Sequence, residues 1–141
     1  MSGKTIQIEA IVFRKIRGKY EYLLLKRIES RGGFWQPVTG GLEKGEKVAE
    51  AVLREVKEET GITRIQKVIE NVYEFILEES PDVTEFVFGL EVGPDEEIRL
   101  DKNIYEEHED YKWCSYSEAM KLLKWPGNKK GLANLDRILE K

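Results

Sequence analysis

The distribution of apolar and polar residues outlines most of the elements of this chain. Residues 4–14 alternate in part and carry Ile6, Ile8, Ile11, Val12 and Phe13, which predicts a strand. Arg17 to Lys19, around Gly18, reads as a hairpin turn into a buried strand over 20–27, YEYLLLKR. Residues 28–34 have the polar, glycine-containing composition of a loop, and Trp35 to Leu42 offers short extended pieces around Gly40 and Gly41. Over 47–60 the period changes to that of a helix. At about 100° per residue Ala49, Val52, Leu53 and Val56 share one face, no Gly or Pro interrupts, and Gly61 follows where a helix often needs a left-handed residue to stop. Lys47 stands where Ser or Thr would cap well. Residues 65–79 and 83–92 read as two strands joined at Ser80-Pro81-Asp82. Residues 93–106 are charged and loop-like, and 111–116 form a short strand. Ser117 is expected to cap a helix through Leu123, Trp125-Pro126-Gly127 to break it, and Asn128 to cap a last helix with Leu132, Leu135, Ile138 and Leu139 at helical spacing. Strands and helices interleave without a regular βαβ rhythm, so the expected class is α/β with a mixed sheet covered by helices.

Length and composition narrow the setting. With 141 residues and no repeat or dividing linker, one domain over 1–141 with a real core is expected. No run approaches the roughly 18 apolar residues that cross a membrane, and MSGKTIQIEA lacks the apolar core of a signal peptide. Cys114 is the one cysteine and His108 the one histidine, which excludes an intrachain disulfide, a cysteine zinc site and a paired-histidine metal site. A cytoplasmic protein with no membrane partner is expected. The net charge of −4 argues against a nucleic-acid polymer as partner, whereas a small polyphosphate binds an acidic protein when cations bridge the charges.

The predicted helix over 47–60 carries the chemistry. Glu55, Glu58 and Glu59 cluster on an arc beside the apolar stripe, and like charges at that spacing cost a few tenths of a kcal/mol per pair, on the order of 0.3. A cation removes that cost, and Mg²⁺ and Mn²⁺ prefer carboxylate and water oxygens. Ala51, one turn back, is expected to leave room for a ligand. Gly40, Glu46, Arg54, Glu55, Glu58, Glu59 and Gly61 also fall at fixed offsets, matching G-x5-E-x7-R-E-U-x-E-E-x-G-U with Val56 and Ile62 at the apolar U positions. This is a complete Nudix box, and the chain resembles the Nudix hydrolases, which cut a nucleoside diphosphate bond with help from divalent metal.

The resemblance implies a Nudix α/β/α sandwich over essentially the whole chain. It implies that Glu55, Glu58 and Glu59, with a backbone carbonyl near Gly40, hold Mg²⁺ or Mn²⁺. Arg54 would orient a glutamate of the box, with Glu46 as partner, and Gly40 and Gly41 would let the backbone approach the metal site. Glu55 or Glu107 would take the proton from water. Glu107 lies six residues before Trp113, where MutT-like enzymes carry an extra acid, and Glu106 and Glu109 compete for that role.

Outside the box, FWQ-x-VTG over 34–40, EH-x2-YKW over 107–113 and W-x2-N over 125–128 look like the dATP pyrophosphohydrolase branch, also described as dihydroneopterin triphosphate pyrophosphatase. The implied substrate is a nucleoside triphosphate such as dATP, or dihydroneopterin triphosphate, cut to the monophosphate and pyrophosphate by a monomer or homodimer. The alternatives are hydrolysis of diadenosine polyphosphates, 8-oxo nucleotides or nucleotide sugars, and, from another class, a non-catalytic nucleotide sensor. For substrate binding the candidates are Arg27 on phosphates, Trp35 as a stacking platform or a core anchor, and Gly41. Arg31 reads as a surface residue. His108 either polarises a leaving group or makes a structural hydrogen bond. Trp113, Tyr116 and Trp125 read as core, Lys129 and Lys130 as the solvated first turn of a helix, and Cys114 as a small buried hydrophobe.

Overall fold

The computed structural model describes residues 5–78, 80–100 and 107–140. Seven strands form one mixed sheet: β1 (Thr5–Ile16), β2 (Lys19–Arg27), β3 (Trp35–Gln36), β4 (Val38–Gly41), β5 (Lys67–Ile76), β6 (Val83–Glu91) and β7 (His108–Cys114). The helices are α1 (Val48–Thr60), α2 (Tyr116–Leu122) and α3 (Pro126–Leu139). β1 lies at the centre, parallel to β6 along one side. On its other side it pairs first with β4 and then with β2, so the sheet splays at that point. β7 extends the sheet from β2, and β5 closes the far edge against β6.

Successive residues of a strand point to opposite faces, and β1 shows why the fold has three layers. Ile8, Ala10 and Val12 pack with Val52 and Val56 of α1, while Ile11 and Phe13 pack with Leu132 and Leu135 of α3. The sheet therefore needs a cover on both faces, and the result is the expected α/β/α sandwich. Among the described residues, no helix is long and apolar enough to cross a membrane.

Several local readings are corrected by the tertiary structure. The buried stripe of α1 runs through Ala51, Val52, Val56 and Glu59, whereas Leu53 is 45% exposed and Ala49 faces solvent. The inward face is rotated toward the acids, which brings Glu59 into the interior. Ala51 is packed in the core and leaves no room for a ligand. At the start of α1 the Lys47 side chain caps nothing; instead the Glu50 carboxylate accepts from the Lys47 N–H at 2.9 Å. Gly61 ends the helix in the left-handed conformation, φ 80°.

Ser115, not Ser117, caps α2. Its Oγ accepts from the Glu118 N–H while the Glu118 carboxylate accepts from the Ser115 N–H, a reciprocal capping box. The expected break after Leu123 is present, and Pro126 and Gly127 lie beyond it as the first residues of α3, where a proline gives up only an N–H with no helical partner. Asn128 consequently lies inside the helix, buried, and caps nothing. β7 begins at His108, three residues earlier than expected, because pairing with β2 extends it past a bulge at Lys26/Arg27. The expected strand over 65–79 is observed as Lys67–Ile76, and the expected loop over 93–106 falls partly outside the described residues.

Candidate active site

The last turns of α1 face β4, and Gly40 makes that approach possible. A Cβ on Gly40 would lie 1.9 Å from Glu55 Oε2, so only a hydrogen fits there. Arg54 ties the loop before α1 to the helix. Its Nε and Nη2 donate to the Glu46 carboxylate at 2.7 and 3.0 Å, and Nη2 also donates to the Gly41 carbonyl at 2.7 Å. Its Nη1 donates to Glu55 at 3.2 Å and to Glu58 at 3.1 Å. These bonds hold the Glu46 carboxyl below its usual pKa and the guanidinium above its own. The expected Arg54–Glu46 pairing is thus present, and it extends to two further acids of the box.

Gly41, Arg54, Glu55, Glu58, Glu59 and Glu107 border one cleft of about 280 Å³. Glu107 reaches it from the residue just before β7 and lies 3.7 Å from Arg31, which does not itself line the cleft. Glu109 instead pairs with Lys26 at 3.3 Å, away from the cleft, and Glu106 lies outside the described residues.

Glu59 has the most unusual environment. It is 2% exposed, and neither carboxylate oxygen has a hydrogen-bond partner among the described residues. Burial pushes its carboxyl well above the ordinary range, the neighbouring Glu55 and Glu107 push further, and Arg27 opposes them. Burial also raises Glu55. His108 is buried beside Glu59, with its Nδ1 3.7 Å from Glu59 Oε1, too far for a hydrogen bond. Neither ring nitrogen has a partner among the described residues, so the expected structural hydrogen bond is not found there. Burial, then Arg27 and Arg31, lower its pKa to about 4, which leaves the ring neutral. Glu59, Glu107 and His108 each offer a ligand atom, and these atoms lie within 4.8 Å of one another. Orphaned carboxylate oxygens in a dry cleft are costly, and a divalent cation satisfies them; this donor set fits such an ion.

A second cavity, of about 490 Å³, lies across β4 from the acids. Thr39 lines it while the next residue, Gly40, meets Glu55, as alternation along one strand requires. Phe34, Tyr73, Phe75 and Trp125 supply aromatic walls; Gln7, Glu85 and Asn128 are among the polar lining. Arg27 joins the two regions, since it lines this cavity and acts electrostatically on Glu59.

The sequence-derived candidates therefore divide. Arg27 borders the aromatic cavity and Gly41 the acidic cleft, while Gly40 is absent from the cleft lining and acts through its contact with Glu55. Trp35 is an anchor: it packs against the core under α2 and α3 and does not line the cavity. Trp125, expected in the core, lines the cavity with Phe34, and their rings meet edge-on at 5.8 Å. Lys130 lines it as well, while Trp113 packs on the core under the Arg14 guanidinium. Tyr116 packs on the other core and Cys114 is buried, as expected. Sequence reasoning missed Tyr73, Phe75, Glu85 and Asn128. The alternation of Tyr73 and Phe75 in β5 was the available signal, but nothing local showed which face of β5 borders a cavity.

A helix thus presents clustered carboxylates to a glycine-bearing strand, beside an aromatic cavity. Residues 5–135 match the family model of the NUDIX domain, and the chain belongs to the Nudix family of hydrolases. It is 32% identical over 116 residues to the Caenorhabditis elegans bis(5'-nucleosyl)-tetraphosphatase [asymmetrical], covering 79% of this chain and 80% of that protein. It is 38% identical over 108 residues to a Myxococcus xanthus protein named Octanoyltransferase, covering 74% of this chain but spanning only 29% of that protein's length. The solved structure of the Escherichia coli dihydroneopterin triphosphate pyrophosphohydrolase superposes with a TM-score of 0.74 at 25% identity, over 99% of this chain and 100% of that one.

Proposed function

We propose that this enzyme is a Mg²⁺- or Mn²⁺-dependent pyrophosphohydrolase of a triphosphate that carries one aromatic heterocycle. The substrate is a (deoxy)nucleoside triphosphate such as dATP, or dihydroneopterin triphosphate, and the products are the monophosphate and pyrophosphate. The observation that carries this reading is the buried Glu59 carboxylate, whose oxygens have no hydrogen-bond partner within normal distance among the described residues, in one cleft with Glu55, Glu58 and Glu107. A divalent cation held there would lower the pKa of water and neutralise phosphate oxygens. Glu58, Glu59 and Glu107 are its carboxylate ligands. Glu55, braced by Arg54 and by Gly40, takes the proton from the attacking water. Arg27, between the two cavities, holds phosphate oxygens, and the heterocycle rests among Phe34, Trp125, Tyr73 and Phe75. The FWQ-x-VTG and EH-x2-YKW stretches and the likeness to the E. coli pyrophosphohydrolase support this substrate class.

A second reading, asymmetric cleavage of a dinucleoside tetraphosphate, is favoured by the identity to the C. elegans protein. The test is pyrophosphate release with Mg²⁺, with and without chelator, from dATP, the other nucleoside triphosphates and dihydroneopterin triphosphate, with diadenosine tetraphosphate scored by its own products. Chelator-sensitive release from a triphosphate is the expected result. Turnover of the dinucleotide alone would replace this reading with the second.

The Gly40–Glu55 contact gives a separate expectation. Gly40→Ala will displace the Glu55 carboxylate, and a misplacement of about 1 Å lowers kcat by roughly 100-fold. The added methyl meets the end of a flexible side chain, so the unfolding midpoint will change little. Steady-state kinetics beside thermal melts check both parts, and wild-type kcat in Gly40→Ala would remove Glu55 from the role given it.

A further inference from the structure

We infer that His108 is a nitrogen ligand of the cation held by Glu59 and Glu107, and that this nitrogen makes the site prefer a first-row transition metal, Mn²⁺ or Co²⁺, to Mg²⁺. The inference rests on the reading of the acidic cleft as a metal site, and it narrows the ion that the cleft takes.

Two elements bring the donors together. Glu59 stands in the last turn of α1, and His108 opens β7 opposite Arg27 of β2. The Ile28 N–H donates to the Glu107 carbonyl at 3.0 Å, so the residue before His108 is held to the same neighbour. The side chains of His108 and Glu59 are 1% and 2% exposed. Both ring nitrogens and both Glu59 oxygens lack a hydrogen-bond partner within normal distance among the described residues. His108 Nδ1 lies 3.7 Å from Glu59 Oε1, too far for a hydrogen bond. Bonds from a divalent metal to imidazole nitrogen and carboxylate oxygen are about 2.0–2.2 Å, so two donors on one ion stand roughly 3–4 Å apart. The observed separation has that span. A Glu107 oxygen is the third donor, and the three atoms lie within 4.8 Å of one another.

The neighbouring cations leave these donors open. Arg27 directs its Nε to the Arg31 carbonyl at 3.1 Å, and its guanidinium lies over the Phe34 ring. Arg31 approaches Glu107 at 3.7 Å from an exposed position, and a carboxylate has a second oxygen for the ion.

The donor types set the preference. Mg²⁺ takes oxygen ligands and keeps several of its waters. A buried imidazole offers it neither. For transition metals an imidazole strengthens binding, and affinity rises from Mn²⁺ to Co²⁺. An oxygen donor in place of His108 would leave a site that serves Mg²⁺ as well.

The test uses the intact, tag-free protein with metal alone and no nucleotide. His108 is the one histidine of the chain, so histidine labelled with heavy nitrogen marks this ring and no other. Pulsed electron paramagnetic resonance of the Mn²⁺-loaded protein is expected to show a bound imidazole nitrogen whose coupling changes with the label. Calorimetric titration with Co²⁺ and with Mg²⁺ is expected to give an affinity ratio that falls by about tenfold or more in His108→Gln, whose amide oxygen still serves Mg²⁺. Bound Mn²⁺ without a label-sensitive coupling, or an unchanged ratio in folded His108→Gln, would overturn the inference. If His108→Gln fails to fold, the label on wild type decides by itself. Neither measurement reads hydrolysis. Absence of Mn²⁺ binding would sink the metal reading of the cleft together with this inference. A label-sensitive coupling without chelator-sensitive turnover would sink the catalytic reading and leave this inference standing.

Discussion

Glu59→Gln will lower kcat by about 100-fold or more while leaving the metal-free protein as stable as wild type or more so. A 100-fold loss corresponds to roughly 2.7 kcal/mol of lost transition-state stabilisation, a modest demand on the buried carboxylate proposed to hold the metal. The stability half of the expectation follows from burial. The Glu59 carboxyl is almost fully enclosed and both its oxygens lack partners among the described residues, so its ionisation in the folded state is costly. A neutral amide of nearly the same shape relieves that cost by up to about 1 kcal/mol. Metal reverses the order. Wild type gains about 2.7 kcal/mol at a cation concentration 100 times its Kd, and the variant gains far less. Melts in chelator and in Mn²⁺, run beside kinetics, separate the two contributions. A variant with wild-type turnover, or one that gains as much stability from Mn²⁺ as wild type does, would remove Glu59 from the metal site.

Arg54→Lys will behave differently, losing both stability and activity. Arg54 makes five hydrogen bonds, two to Glu46 and one each to Gly41, Glu55 and Glu58. A guanidinium fork serves several planar acceptors at once, whereas an ammonium is a single point charge. Lysine cannot hold Glu46 and the Gly41 carbonyl while also bracing Glu55. Glu46 loses the two guanidinium bonds that hold it to the helix. The expected result is a lower midpoint in chemical denaturation, with kcat down by roughly tenfold or more as Glu55 loses its brace. Wild-type stability in Arg54→Lys would show that charge alone, without the fork, holds the loop to the helix.

The contrast between these variants follows from what the box does in space. Arg54 and Glu46 are an architectural pair whose salt bridge fixes the loop, and both were legible in the sequence because their spacing reflects a loop folding back on the helix it starts. Glu59 was legible as one of three acids, but not as the buried one. The stripe expected through Ala49, Val52, Leu53 and Val56 left it on the adjacent arc with the other acids. Tertiary packing rotates α1 so that Val52, Val56 and Glu59 face inward together. Helical periodicity alone leaves that choice open, since a 13-residue helix with several apolar positions has more than one stripe to bury.

The aromatic cavity was less legible. Its walls come from the β2–β3 connection, β5 and the start of α3, segments far apart in sequence. Phe34 and Trp125 looked like a loop residue and a core residue because each was read against its own neighbours. Trp35 read equally as a stacking platform or a core anchor, and alternation decides for the anchor by turning it away from the ring of Phe34 and into the core.

By itself the sequence determined the candidate acids and the class of fold. Those depend on local spacing: carboxylates three and four residues apart on one helix, an arginine within reach of its glutamate, a glycine where a strand meets a side chain, and hydrophobic periods that name strands and helices. The tertiary structure alone decided which acid is buried and which aromatics form the pocket. Each of those properties belongs to residues brought together by strand pairing and helix packing across tens of positions, and burial, which sets their chemistry, exists only once the layers have closed.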